Sequence, residues 1–405
     1  MRKETSTDHL KYLLKETEHV FHCKVATSAN CNQLSIEIRS KTSQNISSQT
    51  LRRLFGLVKT NTSPSLFTLD ALSEYCGYQN WSQFCSEKET SDIPLVHTEL
   101  FSKMVLDFYK VPLPKLWPSS DYYIACKNTA QHIIRDEALY RSLPSQLATL
   151  PSGQLLFFEC FPYIDGLGNG YQKHLRIYLQ NKAARDRQSQ IFANSLLFFG
   201  SLLTKNESQL KKYYSIINSI TCPIPYQMHD IPIARYIGTQ ILYNQHVGNP
   251  DEALLWIKKG YEYAQCYEKE DRLDFCNYFL VLSEYLFFAG RYAECIELLR
   301  YAKNPKWNQY FINKPYDLGY YEVTQAIIAI SNLKLGNHDK GMQLFKKINT
   351  SSFVFTECKL YGLFYLKQQL SLCSDKAKKK RTKILNQING LVSDTGFVYF
   401  SASIN

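Results

Sequence analysis

The sequence predicts an all-α protein, in which a small helical bundle precedes an array of helical hairpins. Three observations lead to this prediction. Apolar residues recur at helical spacing along most of the 405 residues, and no stretch shows the sustained alternation of a strand. Glycine and proline are few, at 17 and 14 residues, as in chains made mainly of helices. A hydrophobic content of 45% and an aromatic content of 14% exclude a disordered chain.

Length and the positions of the prolines divide the chain into three segments. At 405 residues it is long enough for two or three domains. We expect a helical bundle over residues 1–90, a connector over 91–120 and a helical body over 121–405. The connector is predicted from prolines that interrupt helices, with one helix from about 95 to 109 between them. These prolines are Pro94, Pro112, Pro114 and Pro118.

The bundle is organised around residues 46–84. Ser47 is placed to cap a helix by accepting a backbone hydrogen bond, and Ile46 before it can staple onto the first turn. The following residues predict a helix with a buried stripe at the i, i+3, i+4, i+7 spacing. The stripe is Leu51, Leu54, Phe55 and Val58, and the opposite face carries Gln49, Arg52 and Arg53.

Further helices are predicted on both sides of this one. Upstream, Cys31, Leu34 and Ile38 share one helical face, and a turn is expected over residues 41–45. Downstream, Ser65 caps a helix that Gly77 ends. The apolar residues expected to pack on the bundle from this side are Leu66, Leu69, Ala71, Leu72, Tyr75, Tyr78, Trp81 and Phe84.

This arrangement resembles the Xre/Cro type of helix-turn-helix, and more closely the amino-terminal domains of a group of uncharacterised bacterial proteins. In those domains an IS-x-x-TL-x-R-x-x-G helix precedes a P-S-x-x-TLD-x-L-x-x-Y-x-GY-x-x-W-x-x-F segment. The matching residues here are Ile46, Ser47, Thr50, Leu51, Arg53, Gly56, Pro64, Ser65, Thr68, Leu69, Asp70, Leu72, Tyr75, Gly77, Tyr78, Trp81 and Phe84.

A helix with an apolar back and a Gln/Arg front is typical of DNA recognition, because both side chains can make paired hydrogen bonds to base edges. We expect Ser48, Gln49, Arg52 and Arg53 to lie in the major groove of double-stranded DNA, and Ser47 and Lys59 to contact phosphate. Residues 39–59 contain five basic and no acidic side chains, which suits an anionic partner. The alternative is a helix that docks on protein, with its arginines solvated.

The carboxy-terminal half of the body contains a loose repeat. Three helices end at Gly248, Gly290 and Gly336, 42 and 46 residues apart, and each is followed by a polar turn and a second helix. A small residue opens each second helix, namely Ala253, Ala293 and Gly341. The pattern resembles a tetratricopeptide-like array, although the units exceed the usual length of about 34 residues. The alternative is a non-repetitive helical domain with the same turns.

Two other segments of the body have features of binding sites. The turn at Gly166, Gly168 and Gly170 lacks both a preceding strand and the G-x-G-x-x-G spacing, which argues against a nucleotide site. Residues 376–383 contain six basic side chains, which favours a solvated charge run at a helix start over an additional phosphate contact.

The sequence predicts no enzyme, cofactor or metal site. No G-x-S-x-G, HExxH, P-loop or kinase motif is present. The closely placed His19, His22, Cys23 and Cys31 lack the paired spacing of structural zinc sites. The 12 cysteines show no CxxC pair and are expected to be reduced. No apolar run approaches the roughly 18 residues of a membrane span, and a cytoplasmic protein is expected.

We therefore expect a DNA-binding transcriptional regulator whose helical body binds a peptide, a protein or a second copy of the chain on an inner face. Regulators that join an Xre-type head to tetratricopeptide-like repeats have a similar architecture. A homodimer is expected because helix-turn-helix heads gain affinity by two-fold pairing. The alternative is an interaction scaffold whose helix-turn-helix docks on protein. RNA binding has little support, since no RNP-like strand is visible.

Overall fold

Every regular element that the computed structural model describes is a helix, which confirms the predicted all-α class. The chain forms two compact units, Met1–Phe101 and Ser102–Asn405, which we call the head and the body. The division between them falls inside the segment expected to be a connector. The structure describes residues 2–21, 23–58, 64–85, 95–110, 120–223, 228–268, 276–301, 320–374 and 376–401.

Four helices build the head, and their apolar faces meet in one core. The helices are α1 (Arg2–Val20), α2 (Ser28–Thr42), α3 (Ser48–Leu54) and α4 (Leu66–Tyr75), followed by a helical turn over residues 81–85. The core consists of Leu13, Phe21, Val25, Cys31, Leu34, Ile38, Ile46, Leu51, Ala71, Leu72, Tyr75 and Phe84. The shared face predicted for α2 is therefore confirmed.

The helix starts in the head follow from local hydrogen bonds. Ser47 Oγ accepts from the backbone N–H of Thr50 at 3.1 Å, and Ser65 Oγ accepts from that of Thr68 at 3.3 Å. Each serine thus satisfies a donor that the first helical turn would leave unpaired. Both predicted caps are confirmed.

Helix α3 is shorter than the sequence predicts. Gly56 adopts φ +75°, and the N–H of Leu57 donates to the carbonyl of Arg52 at 2.8 Å. This turn closes the helix after Leu54, since a left-handed residue cannot continue it. Val58 consequently lies beyond α3 and is 38% exposed, so its predicted place in the buried stripe is wrong.

The aromatic end of the head packs against α4. The N–H of Trp81 donates to Asp70 Oδ1 at 2.8 Å, and the Trp81 ring stacks on Phe84 at 5.4 Å between centroids. These contacts join the aromatic end of the head to α4 through Asp70 and Trp81. Leu66, by contrast, is 63% exposed in the first turn of α4, so its predicted place in the core is wrong.

The body opens with less regular helices and continues as hairpins. The first group is α5 (Leu95–Tyr109), α6 (Ser120–Arg135), α7 (Glu137–Leu147) and α8 (Tyr171–Gln180). Four hairpins follow, α9 (Arg187–Leu203) with α10 (Glu207–Asn218), α11 (Asp230–His246) with α12 (Pro250–Glu268), α13 (Cys276–Phe288) with α14 (Tyr292–Tyr301), and α15 (Tyr320–Lys334) with α16 (His338–Phe345). The chain ends with α17 (Cys358–Ser371) and α18 (Lys378–Thr395). Helix α5 begins before the division between the units and ends after it.

One turn geometry joins the two helices of every hairpin. In the α13–α14 hairpin Gly290 adopts φ +73°, and the N–H of Arg291 donates to the carbonyl of Leu286 at 2.9 Å. Gly248 and Gly336 adopt the same left-handed conformation in their hairpins, at φ +76° and +81°. The left-handed role predicted for these three glycines is confirmed.

Two of the three small residues predicted to pack at the start of the second helices are buried, and the third is exposed. Ala253 and Gly341 are buried, and each lies five positions after the left-handed glycine of its turn. Ala293 is exposed, so its predicted packing role is wrong. The residue at the corresponding position is Cys295, which is fully buried.

The first helices of the hairpins form a central layer. Most residues of α9, α11 and α15 are buried, whereas α10 and α16 bury a single stripe. Helix α17 covers the other side of this layer. Phe364 of α17 contacts the rings of Phe287 and Phe288 at 4.8 Å between centroids, and Tyr361 donates to Glu284 Oε1 at 2.9 Å.

The glycine-rich turn of the body is a packing element. A Cβ atom at Gly168 would lie 2.1 Å from the carbonyl oxygen of Thr395, so the two backbones approach as closely as glycine permits. The side-chain amide of Asn169 donates to the carbonyl of Asp394. The turn therefore holds the end of α18.

Candidate nucleic-acid interface

The α2–α3 unit presents the residues that the sequence assigns to DNA. The turn between the helices starts at Ser43, which adopts φ +60°, and ends at Ser47. Ser35 Oγ donates to the carbonyl of Ile46 at 2.5 Å, and Ile46 and Leu51 are buried. The turn and the back of α3 are thus attached to α2, which orients the opposite face of α3.

Gln49 and Arg53 form the exposed part of that face. Both side chains are exposed, and they lie four residues apart, which places them one above the other on a helix. Ser48, beside Gln49, is half-buried. An amide and a guanidinium adjacent on one helical face can donate and accept hydrogen bonds at neighbouring base edges.

Arg52 has a different environment from Arg53. It is half-buried, and its Nε atom is buried without a hydrogen-bond partner among the residues that the structure describes. Burial raises the pKa of the Cys31 thiol, and the charge of Arg52 opposes that rise. Part of the Arg52 side chain therefore packs against the head, a difference that helical spacing does not predict.

The two predicted phosphate contacts stay predictions. Ser47 Oγ is exposed but caps α3 and hydrogen-bonds the Thr50 hydroxyl at 2.9 Å, so a phosphate would share it with the helix. Lys59 lies outside the described residues.

The positive charge near α3 is smaller than the sequence count indicates. Lys41 forms an ion pair with Glu37 at 2.8 Å and lies 4.8 Å from the centroid of the Tyr75 ring. Tyr75 in turn donates to Glu37 Oε1 at 2.8 Å, which joins α2 to α4. Lys41 is thus part of a structural contact, whereas Arg39 and Arg53 are exposed.

Exposed apolar residues follow α3 and begin α4, and sequence reasoning missed them. Leu57, Val58, Leu66 and Phe67 are 37%, 38%, 63% and 53% exposed. Helical periodicity assigned Val58 to the core because it continued the stripe beyond the end of α3, and it assigned Leu66 to the core although this first residue of α4 faces solvent. Gly56, at which α3 stops, was the available signal.

The clearest polar cavity of the body is not a substrate pocket. It has a volume of about 10 Å³, enough for about one water molecule, and its polar lining is Arg235, Glu284, Glu357 and Tyr361. Arg235 is only 7% exposed, and its Nε atom has no hydrogen-bond partner in the described part of the chain. Burial raises the pKa of Glu284 to about 7, and it raises that of Glu357 well above its usual range.

The serine–histidine contact in the body lacks the third group of a hydrolase triad. Ser145 Oγ lies 3.0 Å from His174 Nδ1, and burial lowers the pKa of His174 to about 4. No carboxylate hydrogen-bonds His174 among the described residues, and Tyr140 packs edge-on against its ring. Within the same residues no three His, Cys, Asp or Glu side chains are grouped to hold a metal ion.

Comparisons with protein-family models, curated proteins and solved structures found no match for this chain. In the described parts of the chain, no helix has the length and apolar character to cross a membrane.

Proposed function

We propose that the chain is a cytoplasmic DNA-binding regulator, whose head reads double-stranded DNA through α3. The observation that supports this most directly is the exposed pair Gln49 and Arg53, on a helix whose other side is attached to α2. Both side chains are suited to base edges, and Arg39 adds an exposed positive charge on α2. Ser48 and Arg52 complete the reading face, and Ser47 and Lys59 contact phosphate.

The short α3 limits how the head reads DNA. Its seven residues make about two helical turns. In this proposal the amino-terminal residues of α3 enter the groove, as is usual for a recognition helix. A single head of this kind contacts few base pairs. We therefore include a homodimer in the proposal, because two heads on a two-fold site double the contacts.

In this proposal the helical body controls the head by binding a peptide, a protein or a second copy of the chain. The hairpin array offers such surfaces, but α17 covers one side of its central layer. A ligand for that side would compete with the contacts of Tyr361 and Phe364. A ligand for the outer side would meet α10, α12, α14 and α16.

The experiment that tests the DNA proposal is retention of genomic DNA fragments by the purified chain at two salt concentrations, followed by sequencing. Enrichment of a discrete site, with affinity that falls steeply with salt, would support the regulator. Retention without a preferred sequence, or no retention by folded protein, would reject it. Lys383→Ala, which removes an exposed lysine of the body, is the charge-matched control for head variants.

An interaction scaffold is the second candidate, and the exposed apolar residues beside α3 favour it. Leu57 and Val58 directly follow α3, and Leu66 and Phe67 are the first two residues of α4. A protein partner would bury such side chains, whereas DNA phosphates would not. Phe67→Ser would weaken a protein partner and leave DNA retention nearly unchanged if the two functions use different residues.

A further inference from the structure

The seam between α17 and the central layer of the body contains acidic side chains from both of its sides. The layer supplies Glu284 of α13, and the chain that leads into α17 supplies Glu357. Both line the small polar cavity of the body, together with the buried Arg235 of α11. Two carboxyl groups and one guanidinium therefore line a space of about 10 Å³, which admits about one water molecule.

The charges of this seam are incompletely paired. Among the described residues, no ion pair within 4.0 Å joins Arg235 to Glu284 or Glu357. The neighbours that these side chains do have are neutral, since Tyr361 donates to Glu284 at 2.9 Å and the Arg235 guanidinium lies 5.9 Å from the centroid of the Phe192 ring. Buried charges without direct partners lose hydration that the protein does not replace in full. The closed seam is therefore costly when both carboxyls are ionised.

The other titratable groups around the two carboxyls add no positive charge. These groups are Asp165 before the glycine-rich turn, Cys295 of α14, Tyr320 of α15 and Tyr361 of α17. Burial raises the pKa of the thiol and of both phenols, so these three groups stay neutral. Burial also raises the pKa of Glu284 to about 7 and that of Glu357 well above its usual range, although the charge of Arg235 acts against both rises.

The location of the two carboxyls determines what their ionisation does. Glu284 belongs to the central layer and Glu357 directly precedes α17, so a movement of α17 away from the layer would separate them and admit water to both. The closed seam favours the protonated carboxyls, whereas an open seam favours the ionised ones. The movement of the helix and the release of protons are therefore linked.

We propose that α17 is a movable cover of the central layer, and that it opens with the release of protons from Glu284 and Glu357. The closed cover buries the ring of Phe364 against those of Phe287 and Phe288. An open cover exposes these aromatic side chains, so a ligand for this side of the layer would bind with the release of protons. The proposal concerns the body alone and does not depend on DNA binding by the head.

Hydrogen exchange of the full chain at pH 6 and pH 8, followed by mass spectrometry and corrected for the intrinsic exchange rate, tests this link. Opening of α17 should become about tenfold more frequent at pH 8, because a carboxyl whose pKa falls from about 7 to 4.5 on opening releases close to one proton between pH 6 and pH 7. Helix α10 packs on α9 and α11, away from the seam, and its exchange should change less.

Glu284→Gln removes one of the two protons from this link, because glutamine has the shape of the protonated acid and does not ionise. Its α17 should exchange as in the wild type at pH 6 and open less often than the wild type at pH 8. Part of the response should persist, since Glu357 and Asp165 still titrate. Glu262→Gln is the matched control, because Glu262 is exposed on α12, and it should keep the full wild-type response.

Two results would overturn the proposal. An equal change of exchange in α17 and α10 would show that the body responds to pH as a whole and that α17 does not open by itself. A full wild-type response in Glu284→Gln would show that the protons come from other groups. If Glu284→Gln does not fold at pH 6, the same comparison with Glu357→Gln decides the question, because that carboxyl lies on the other side of the seam.

Discussion

The carboxylate of Asp165 accepts a hydrogen bond from the backbone N–H of Leu360 at 2.9 Å, across 195 positions of the chain. Its second oxygen accepts from the N–H of Lys359 at 2.8 Å. Glu357, the residue before α17, makes no side-chain cap of its own. Asp165, directly before the glycine-rich turn, therefore supplies the cap of α17; burial raises its pKa to about 7, and the two backbone hydrogen bonds act against that rise.

Removal of this cap should destabilise the body strongly. Asp165 is only 3% exposed, so Asp165→Ala would leave two buried N–H groups unpaired, at a cost of about 2–3 kcal/mol in unfolding free energy. Urea denaturation measures this cost. Asp136→Ala is the matched control, because Asp136 is exposed and caps α7 through the N–H of Leu139 at 2.9 Å. Its loss should be about 1 kcal/mol, and equal losses in both variants would contradict the role of Asp165.

Glu284 should make the body less stable as pH rises. Burial raises its pKa to about 7, although the charge of Arg235 and the hydroxyl of Tyr361 act in the opposite direction. Because the folded state favours the protonated carboxyl, its contribution is complete below the unfolded pKa near 4.5 and is lost as pH rises through about 7. The wild type should lose up to about 3 kcal/mol from this group between pH 5 and 8, since each pKa unit corresponds to about 1.4 kcal/mol.

Glu284→Gln tests that assignment, because glutamine resembles the protonated acid at every pH. Unfolding free energies at pH 5 and pH 8 should differ less in the variant than in the wild type. Glu357 also has a raised pKa, to which the charge of Glu284 contributes, so some pH dependence should persist in the variant. The same pH dependence in both proteins would show that Glu284 stays ionised in the folded chain.

The close approach of α11 and α13 depends on Gly238. A Cβ atom there would lie 2.3 Å from Cγ of Tyr285, a residue that is 3% exposed and held by its neighbours. Gly238→Ala should therefore force the two helices apart and cost about 1–3 kcal/mol. Gly390→Ala in α18 is the control, since its Cβ meets nothing within 4 Å, and it should stabilise the helix by about 0.5–1 kcal/mol. Thermal melting of both variants checks the opposite signs.

Local signals account for the features that the sequence predicts well. Ser47, Ser65 and the left-handed glycines act on backbone groups within a few residues, so their types and spacing are sufficient evidence. Gly56 ends α3 by the same local rule, but the apolar spacing continues beyond it to Val58 and so predicts a longer helix than the structure has. In the repeats, the buried position lies five residues after the turn glycine, which identifies Cys295 rather than Ala293.

Contacts between distant segments could not be predicted from one sequence. Arg235, Glu284 and Glu357 line one cavity but belong to separate segments of the chain, and no residue next to them in sequence marks them as buried. In the candidate interface, helical spacing placed Arg52 and Arg53 on one face. It could not show that Arg52 is half-buried while Arg53 is exposed, since that depends on where the neighbouring helices lie.

Arg52 and Arg53 should respond differently to substitution. Arg53 is exposed, so Arg53→Ala should lower affinity for the preferred DNA site by about 1–3 kcal/mol where the side chain reads a base, and leave the melting temperature of the chain unchanged. Arg52 is half-buried, so Arg52→Ala should lower both DNA affinity and the stability of the head. Competition binding at fixed salt, with melting curves of the same samples, separates the two effects. Wild-type affinity in both variants would remove α3 from the proposed interface.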